Sequence, residues 1–334
     1  MSREGKVTTI PTGVEGRNNW CGTAAVGTKL YCPPVSVSSV LVIDSETNTT
    51  YPLTRHGHIR PESGIECHYM IAAVGTKLYC PPVNGSSVLV IDSVYNTTTT
   101  IPCGVEGGDK WMGIAAVGTK LYCAPSNASS VLVIDSVTNT TTTIPCGVAG
   151  KHKWAGITAV GTKLYCAPLL ASCVLVIDAE TSTTTTIECR VLELDLEKWC
   201  VEEWGVLEKW CGIAAVGTKL YCAPLDITSV LVIDSETDTV STIRSGFLAS
   251  FDGKFWQGQM WQGIAALGTK LYCAPSNASS VLVIDSVTNT TSSIPCGVAG
   301  KYKWMGVAAV GTKLYCPACY ASSVLVIEPA MAGG

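Results

Sequence analysis

Charge is scarce in this chain of 334 residues. Only 14% are Asp, Glu, Lys or Arg, against about 25% in ordinary soluble domains, while 47% are hydrophobic. That balance excludes a disordered chain, which needs high charge and little apolar content. The formal net charge is −4, so the basic excess of a nucleic-acid binder is missing. Long apolar runs are missing too. The longest are short blocks such as 131–134, far below the ~18 residues that suggest a membrane-spanning helix. The opening MSREGKVTTIP lacks the apolar core of a secretory signal, which points to the cytoplasm or another reducing compartment. Also absent are a Gly-rich phosphate loop, G-x-S-x-G and H-E-x-x-H, so no catalytic residue is assigned.

What the chain has is repetition. VGTKLYC or a near copy occurs seven times, with its cysteine at 32, 80, 123, 166, 222, 273 and 316. The spacings are 48, 43, 43, 56, 51 and 43, a 43-residue period with three insertions. A period of about 40–50 with strand-like content is the signature of a propeller blade. In the unit 111–145, four strands are legible: 114–117, small and apolar; 120–124, after a Gly-Thr turn; 131–134, β-branched and apolar on both faces; and the threonine run 140–144. The last repeat stops after its third strand, and the chain begins with an orphan fourth strand, Val7-Thr8-Thr9-Ile10. The reading is an all-β, seven-bladed propeller of four-stranded antiparallel blades. The N-terminal strand completes the last blade, and residues 1–334 form a single domain.

VLVIDSVTNTT, at Val131 and again at Val281, resembles the YVTN-type propeller repeat. The KW-x-G and KLYCAP segments are similar to repeat arrays of algal and protist proteins. The resemblance implies the fold; it carries no catalytic residues, because functions on this fold vary widely.

Residues shared by all blades are expected to be structural. Each second strand opens with a lysine (29, 77, 120, 163, 219, 270, 313), and each third strand ends at an acid (44, 92, 135, 178, 234, 285, 328). Antiparallel pairing should bring these into seven cross-strand ion pairs. The repeated cysteines should be buried thiols too far apart to bridge; Cys103, Cys146 and Cys296, after the fourth strand, leave room for one or two disulfides. Twelve residues before each repeat cysteine stands Trp20, Trp111, Trp154, Trp210, Trp261 or Trp304, with His68 in blade two. These rings should wedge between blades. The alternative is an aromatic and cationic ring at the channel mouth, able to stack a sugar or base.

Identical blades cannot build a unique site, so departures from the repeat are the informative residues. The insertion 53–70 holds His56, His58, Cys67 and His68, zinc-type donors at a non-standard spacing. No other cofactor is implied. The insertion 188–209 interleaves acids with aromatics, including Trp199, Glu202, Glu203 and Trp204, and 191–204 suits a short amphipathic helix. The insertion 244–262 carries Phe247, Phe251, Phe255 and Trp256. Acidic-aromatic loops suit protein contact. The leading expectation is therefore a non-catalytic interaction scaffold with a protein partner at the loops around blades five and six. A small-molecule or metal-binding site at the channel mouth near blade two, with catalysis as one option there, is the alternative, and a carbohydrate-binding propeller the second alternative.

Overall fold

A computed structural model describes residues 4–54, 70–189, 207–246 and 258–330. It is a seven-bladed propeller of four-stranded antiparallel sheets. Blade three shows the unit: Trp111–Val117, Lys120–Pro125, Ser130–Asp135 and Thr140–Pro145, running from axis to rim. Its first strand begins at Trp111 rather than at 114, with a register shift between Trp111 and Ile114. Closure is as the sequence suggests: Gly5–Pro11 pairs antiparallel with Ser323–Pro329 and becomes the outer strand of blade seven. Lys6–Glu328 (2.9 Å) and Lys270–Glu4 (2.6 Å) tie this strand to blades seven and six.

The core lies between blades rather than within them. Along the third strand of blade three, Val131 and Val133 join the cluster shared with blade four, while Leu132 and Ile134 join the one shared with blade two. Alternation along a strand sends successive side chains to opposite faces. A sheet sandwiched between two others must therefore be apolar at every position, which is why this segment reads as a continuous apolar run. The threonine strands have one wet face and a second task. Thr50, Thr141, Thr184 and Thr291 hydroxyls donate to the backbone carbonyls of Pro11, Pro102, Pro145 and Arg244 at the neighbouring blade's outer strand.

On one face, the first and second strands join at a glycine with φ near +60°, from Gly27 (+61°) to Gly311 (+59°), which suits the first central position of a II′ hairpin. The third and fourth strands join through an Asx turn, in which Asp44 Oδ1 accepts the N–H groups of Glu46 and Thr47 at 3.0 Å each. This turn corrects the expected ion pairs. Lys29 does face Asp44 in register, and the other blades follow, but the aspartate oxygen is held by its own turn. Among the seven expected pairs, only Lys313–Glu328 closes as an ion pair (3.1 Å), in the blade whose longer glutamate reaches out. The backbone donors, chiefly Thr47, Thr138, Thr181 and Thr288, hold the carboxyls of Asp44, Asp135, Asp178 and Asp285 below their ordinary value.

The repeated cysteines are buried at all seven positions, and burial pushes up the thiols of Cys32, Cys273 and Cys316 and, well above the ordinary range, those of Cys123, Cys166 and Cys222. Cys103, Cys146 and Cys296 form no bridge; each S–H donates to a carbonyl of its own blade, Ser86, Ser129 or Ser279.

Candidate functional site: the channel mouth

The opposite face holds the candidate site, and the sequence Lys-Trp-x-Gly builds it. The six tryptophans are 0–1% exposed. Each indole N–H donates to the carbonyl that opens its blade's third strand, from Trp20 to Ser39 O (2.8 Å) through Trp304 to Ser323 O (2.8 Å). They wedge between blades and present no face for a sugar or base at the mouth, so the stacking surface expected as the alternative is not there. His68 lies outside the described residues.

The lysine before the tryptophan is also structural. Lys153 Nζ donates to Ser126 O (2.8 Å), Ala128 O (2.9 Å) and Gly150 O (3.2 Å) and lies 5.7 Å from the Trp154 ring centre. Lys110 and Lys303 repeat the arrangement on Val83, Gly85 and Gly107, and on Ser276, Ala278 and Gly300. Each ammonium fastens its blade to the preceding one. Burial lowers the pKa of all three, and their donors are consumed, so these three are not free to hold an anion; Lys209, before Trp210, is half-buried and donates to Leu170 O (3.4 Å).

The glycine of the motif sets how closely the blades approach. A Cβ on Gly156 would sit 2.5 Å from Cys211 O, and one on Gly263 would sit 2.6 Å from Gly306 Cα. The first strands of blades three to seven therefore pack backbone to backbone, with blade seven against blade one, and at Gly113, Gly156, Gly212, Gly263 and Gly306 no other residue fits. Blade two carries Met70 at this position, and Met70 lines the cavity that opens there.

That cavity measures about 370 Å³ and is walled by the two positions that the motif leaves unspecified. Two residues before the tryptophan stand Asn18, Asp109, His152, Glu208, Gln259 and Tyr302; directly after it stand Cys21, Met112, Ala155, Cys211, Gln262 and Met305. The framework is thus repeated and the lining is not. Five of the outer six adopt a left-handed backbone, from His152 (φ +48°) to Asn18 (+59°), which turns the chain sharply into the buried Asn19, Lys110, Lys153 and Lys303 and the half-buried Met260.

The lining divides into two arcs. On blades five and six the groups are polar and linked. Asp226 accepts the backbone N–H of Glu208 (3.0 Å) and of Gln259 (2.7 Å). Gln259 Nε2 donates to Glu208 Oε2 (3.4 Å), and Gln262 Nε2 to Gln259 Oε1 (3.0 Å). Burial, with the Asp226 charge added, raises the Glu208 carboxyl above its ordinary range, and His152 partly offsets this. The same surroundings push the Cys211 thiol up to about 12, so it stays protonated and is a poor nucleophile near neutral pH. On blades seven and one the lining is sulfur and aromatic: Met305, Cys21, and Tyr302 against Tyr320, whose ring centres are 5.3 Å apart.

None of these twelve positions was expected as a site residue from the sequence, although Glu208, Gln259 and Gln262 fall within the insertions 188–209 and 244–262. The signal was present: in the six Trp-x-Gly segments Trp and Gly recur, with Lys before the Trp in four of them, beside flanking residues that vary from blade to blade. The residues singled out in the insertions lie outside the described residues: His56, His58 and Cys67 with His68; Trp199, Glu202, Glu203 and Trp204; and Phe247, Phe251, Phe255 and Trp256. The proposed helix at 191–204 falls there too. Among the described residues, no three His, Cys, Asp or Glu side chains gather as a metal-binding group, and no helix is long and apolar enough to cross a membrane.

No family model matches the chain, and no curated protein matches it. The likeness to YVTN-type repeats therefore rests on its residues alone. Solved structures match over nearly the whole length. Virginiamycin B lyase from Staphylococcus aureus is 10% identical with a TM-score of 0.75, covering 97% of this chain and 99% of that one. U3-55K is 14% identical with a TM-score of 0.69, covering 97% and 98%, and the WD40 repeats of RRP9 give the same figures. At such identities the likeness shows the fold and stops there: this chain is similar to an enzyme and to WD40 propellers alike, as a seven-bladed β-propeller.

Proposed function

We propose that the protein is a binding propeller whose channel mouth takes a small molecule with an apolar body and a hydrogen-bond-donating or cationic head. The observation that carries this reading is the contrast around Trp-x-Gly: recurring residues build the wall, and residues that vary among the blades line the cavity. The size and character also fit, since ligand pockets commonly run about 300–1,000 Å³, mostly apolar with a few convergent polar groups. Glu208, Gln259 and Gln262 supply those groups, and Asp226 orients two of them. Glu208 accepts a donor or pairs with an amine, while Met112, Met305 and Tyr302 cover the apolar body. The described lining presents no activated nucleophile, and this favours binding over covalent catalysis.

The test is a thermal-shift and calorimetric screen of small amines and amides. Glu208→Gln should weaken a hit about 10- to 100-fold, the range for a hydrogen bond to a charged group, and Met112→Trp should exclude it by filling the cavity. Hits that bind both variants as they bind the wild type would refute the reading.

A second reading has its own observation. The three insertions rejoin the described chain at Met70, Leu207 and Gly258, beside residues that line or border this mouth. Long loops on one face of a rigid scaffold commonly carry binding, which supports a protein partner engaging the aromatic residues of 190–206 and 247–257. Capture of a stoichiometric partner by the wild type, and its loss when those two segments are trimmed to blade length, is the expected result. A partner retained by the trimmed protein would refute it.

A further inference from the structure

At the edge of the mouth, where blade seven meets blade one, three sulfur atoms form a triangle. Cys21 Sγ and Cys319 Sγ lie 3.4 Å apart, and each is 3.6 Å from Met305 Sδ. Asn18 Oδ1 stands beside them, 3.5 Å from Cys319 Sγ and 4.0 Å from Cys21 Sγ. The two cysteines are 1% and 0% exposed. Cys21, Met305 and Asn18 line the cavity, so the cluster has a way in from solvent through the mouth.

We propose that Cys21, Cys319 and Met305 form a binding site for a soft monovalent metal ion, Cu(I) by the chemistry of the donors. The site is distinct from the polar arc at Glu208 and does not depend on the small-molecule reading. Thiolate and thioether donors select Cu(I) among biological metals. Zn²⁺ asks for four tetrahedral ligands of N, S or O, and a thioether is not among its usual donors. The point equidistant from the three sulfurs lies about 2.0 Å from each. Metal–thiolate bonds run about 2.3 Å, so each sulfur need withdraw only by about 0.3 Å. Binding is proton exchange without redox change: two thiols each release a proton to solvent, two thiolate–copper bonds form, and Met305 donates a lone pair. The resulting site carries a net charge of −1, and its affinity rises with pH because the protons compete with the metal.

The cluster is a departure from the repeat, not a consequence of it. The position three residues after the repeat cysteine is Val35, Val83, Ser126, Leu169, Leu225 and Ser276 in the other blades and a cysteine only at 319. The position after the tryptophan carries a second cysteine, Cys211, but its apolar cluster holds Leu169 and Leu225 in place of another thiol. Blades seven and one are where the three sulfurs coincide.

The repeat also provides fold-neutral substitutions. Cys319→Val installs the residue of blades one and two, Cys21→Ala that of blade four, and Met305→Gln that of blade six. Full-length protein would be held without oxygen in reductant and given Cu(I) as its bathocuproine disulfonate complex, with copper retained per chain measured and X-ray absorption recorded. The wild type should hold one Cu(I) with a sulfur-only shell near 2.3 Å, and Cys211→Ala should do the same. Cys21→Ala and Cys319→Val should lose it, and Met305→Gln should weaken it about 10- to 100-fold, the range for a supporting group at a metal. Failure of the wild type to take copper would overturn the proposal. So would copper retained by Cys319→Val, equal loss from Cys211→Ala, a nitrogen or oxygen shell, or a Cys21–Cys319 disulfide present in the reductant. Should Cys319→Val not fold, Met305→Gln decides alone: unchanged copper affinity there would overturn the site.

Discussion

The two faces of this propeller are built from the same repeat and treat it differently. On the face of the Gly-Thr hairpins and Asx turns, one blade is nearly interchangeable with the next: the glycine φ stays within 59–63° around the circle, and the aspartate caps recur in blade after blade. At the mouth, Trp-x-Gly recurs in six blades with the tryptophan buried in each, yet Asn18, Asp109, His152, Glu208, Gln259 and Tyr302 stand at one and the same position. Regularity marks what every blade needs in order to pack. Variation at a position that packing does not constrain marks where a ligand can be recognised.

The comparison can be broken most severely at the framework. Trp154→Ala removes a fully buried ring and its bond to Cys173 O and should cost about 3–5 kcal/mol in urea unfolding. Met112→Ala, at the mouth, should stay within about 0.5 kcal/mol. Equal costs would erase the distinction between frame and lining. Gly156→Ala comes next. Its Cβ meets the Cys211 carbonyl oxygen at 2.5 Å, backbone against backbone, and should destabilise by about 1–3 kcal/mol, whereas Ala155→Gly beside it should cost less. Lys153→Met leaves the carbonyls of Ser126, Ala128 and Gly150 without their charged donor and should cost about 1–3 kcal/mol. No loss would mean that water takes the place of the ammonium.

The smallest effect belongs to the other face and is read by pH. The carboxyls of Asp44, Asp135, Asp178 and Asp285 sit below their ordinary value of 3.8 because backbone N–H groups bond the charged form. The folded state therefore binds fewer protons than the unfolded state around pH 4. Their contribution is complete above 3.8 and is lost as pH falls below it through the lowered folded values. An Asp135→Asn variant should show a shallower acid limb in unfolding; an identical limb would mean that this turn contributes nothing.

Much of the fold was legible because a propeller states its period, and because the missing fourth strand of the last repeat is answered by Val7–Ile10. The interblade core could be read from Val131–Ile134, whose unbroken apolar run fits only a sheet covered on both sides. The lysine–aspartate ion pairs misled because register neighbours compete with local geometry: Asp44 is two and three residues from the N–H groups it caps, and no sequence count of charges weighs that proximity. The channel mouth was named, but its lining residues were missed for a related reason. Insertions are conspicuous as length, whereas Glu208 and Gln259, at the ends of two of them, differ from their counterparts by one side chain beside a recurring Trp-x-Gly. The sulfur triangle was beyond sequence reading, since Cys21 and Cys319 meet only when the circle closes.

The most direct test of the division between frame and lining is a transplant. Giving blades five and six the mouth residues of blade four, through Glu208→His, Cys211→Ala, Gln259→His and Gln262→Ala, leaves every lysine, tryptophan and glycine of the frame untouched. Melting temperature and small-molecule binding would be measured side by side. The account predicts a melting temperature within about 2–4 °C of the wild type, the shift expected for about 1 kcal/mol, together with loss of the compounds that the wild type binds. Retained binding, or a protein that no longer folds, would contradict it.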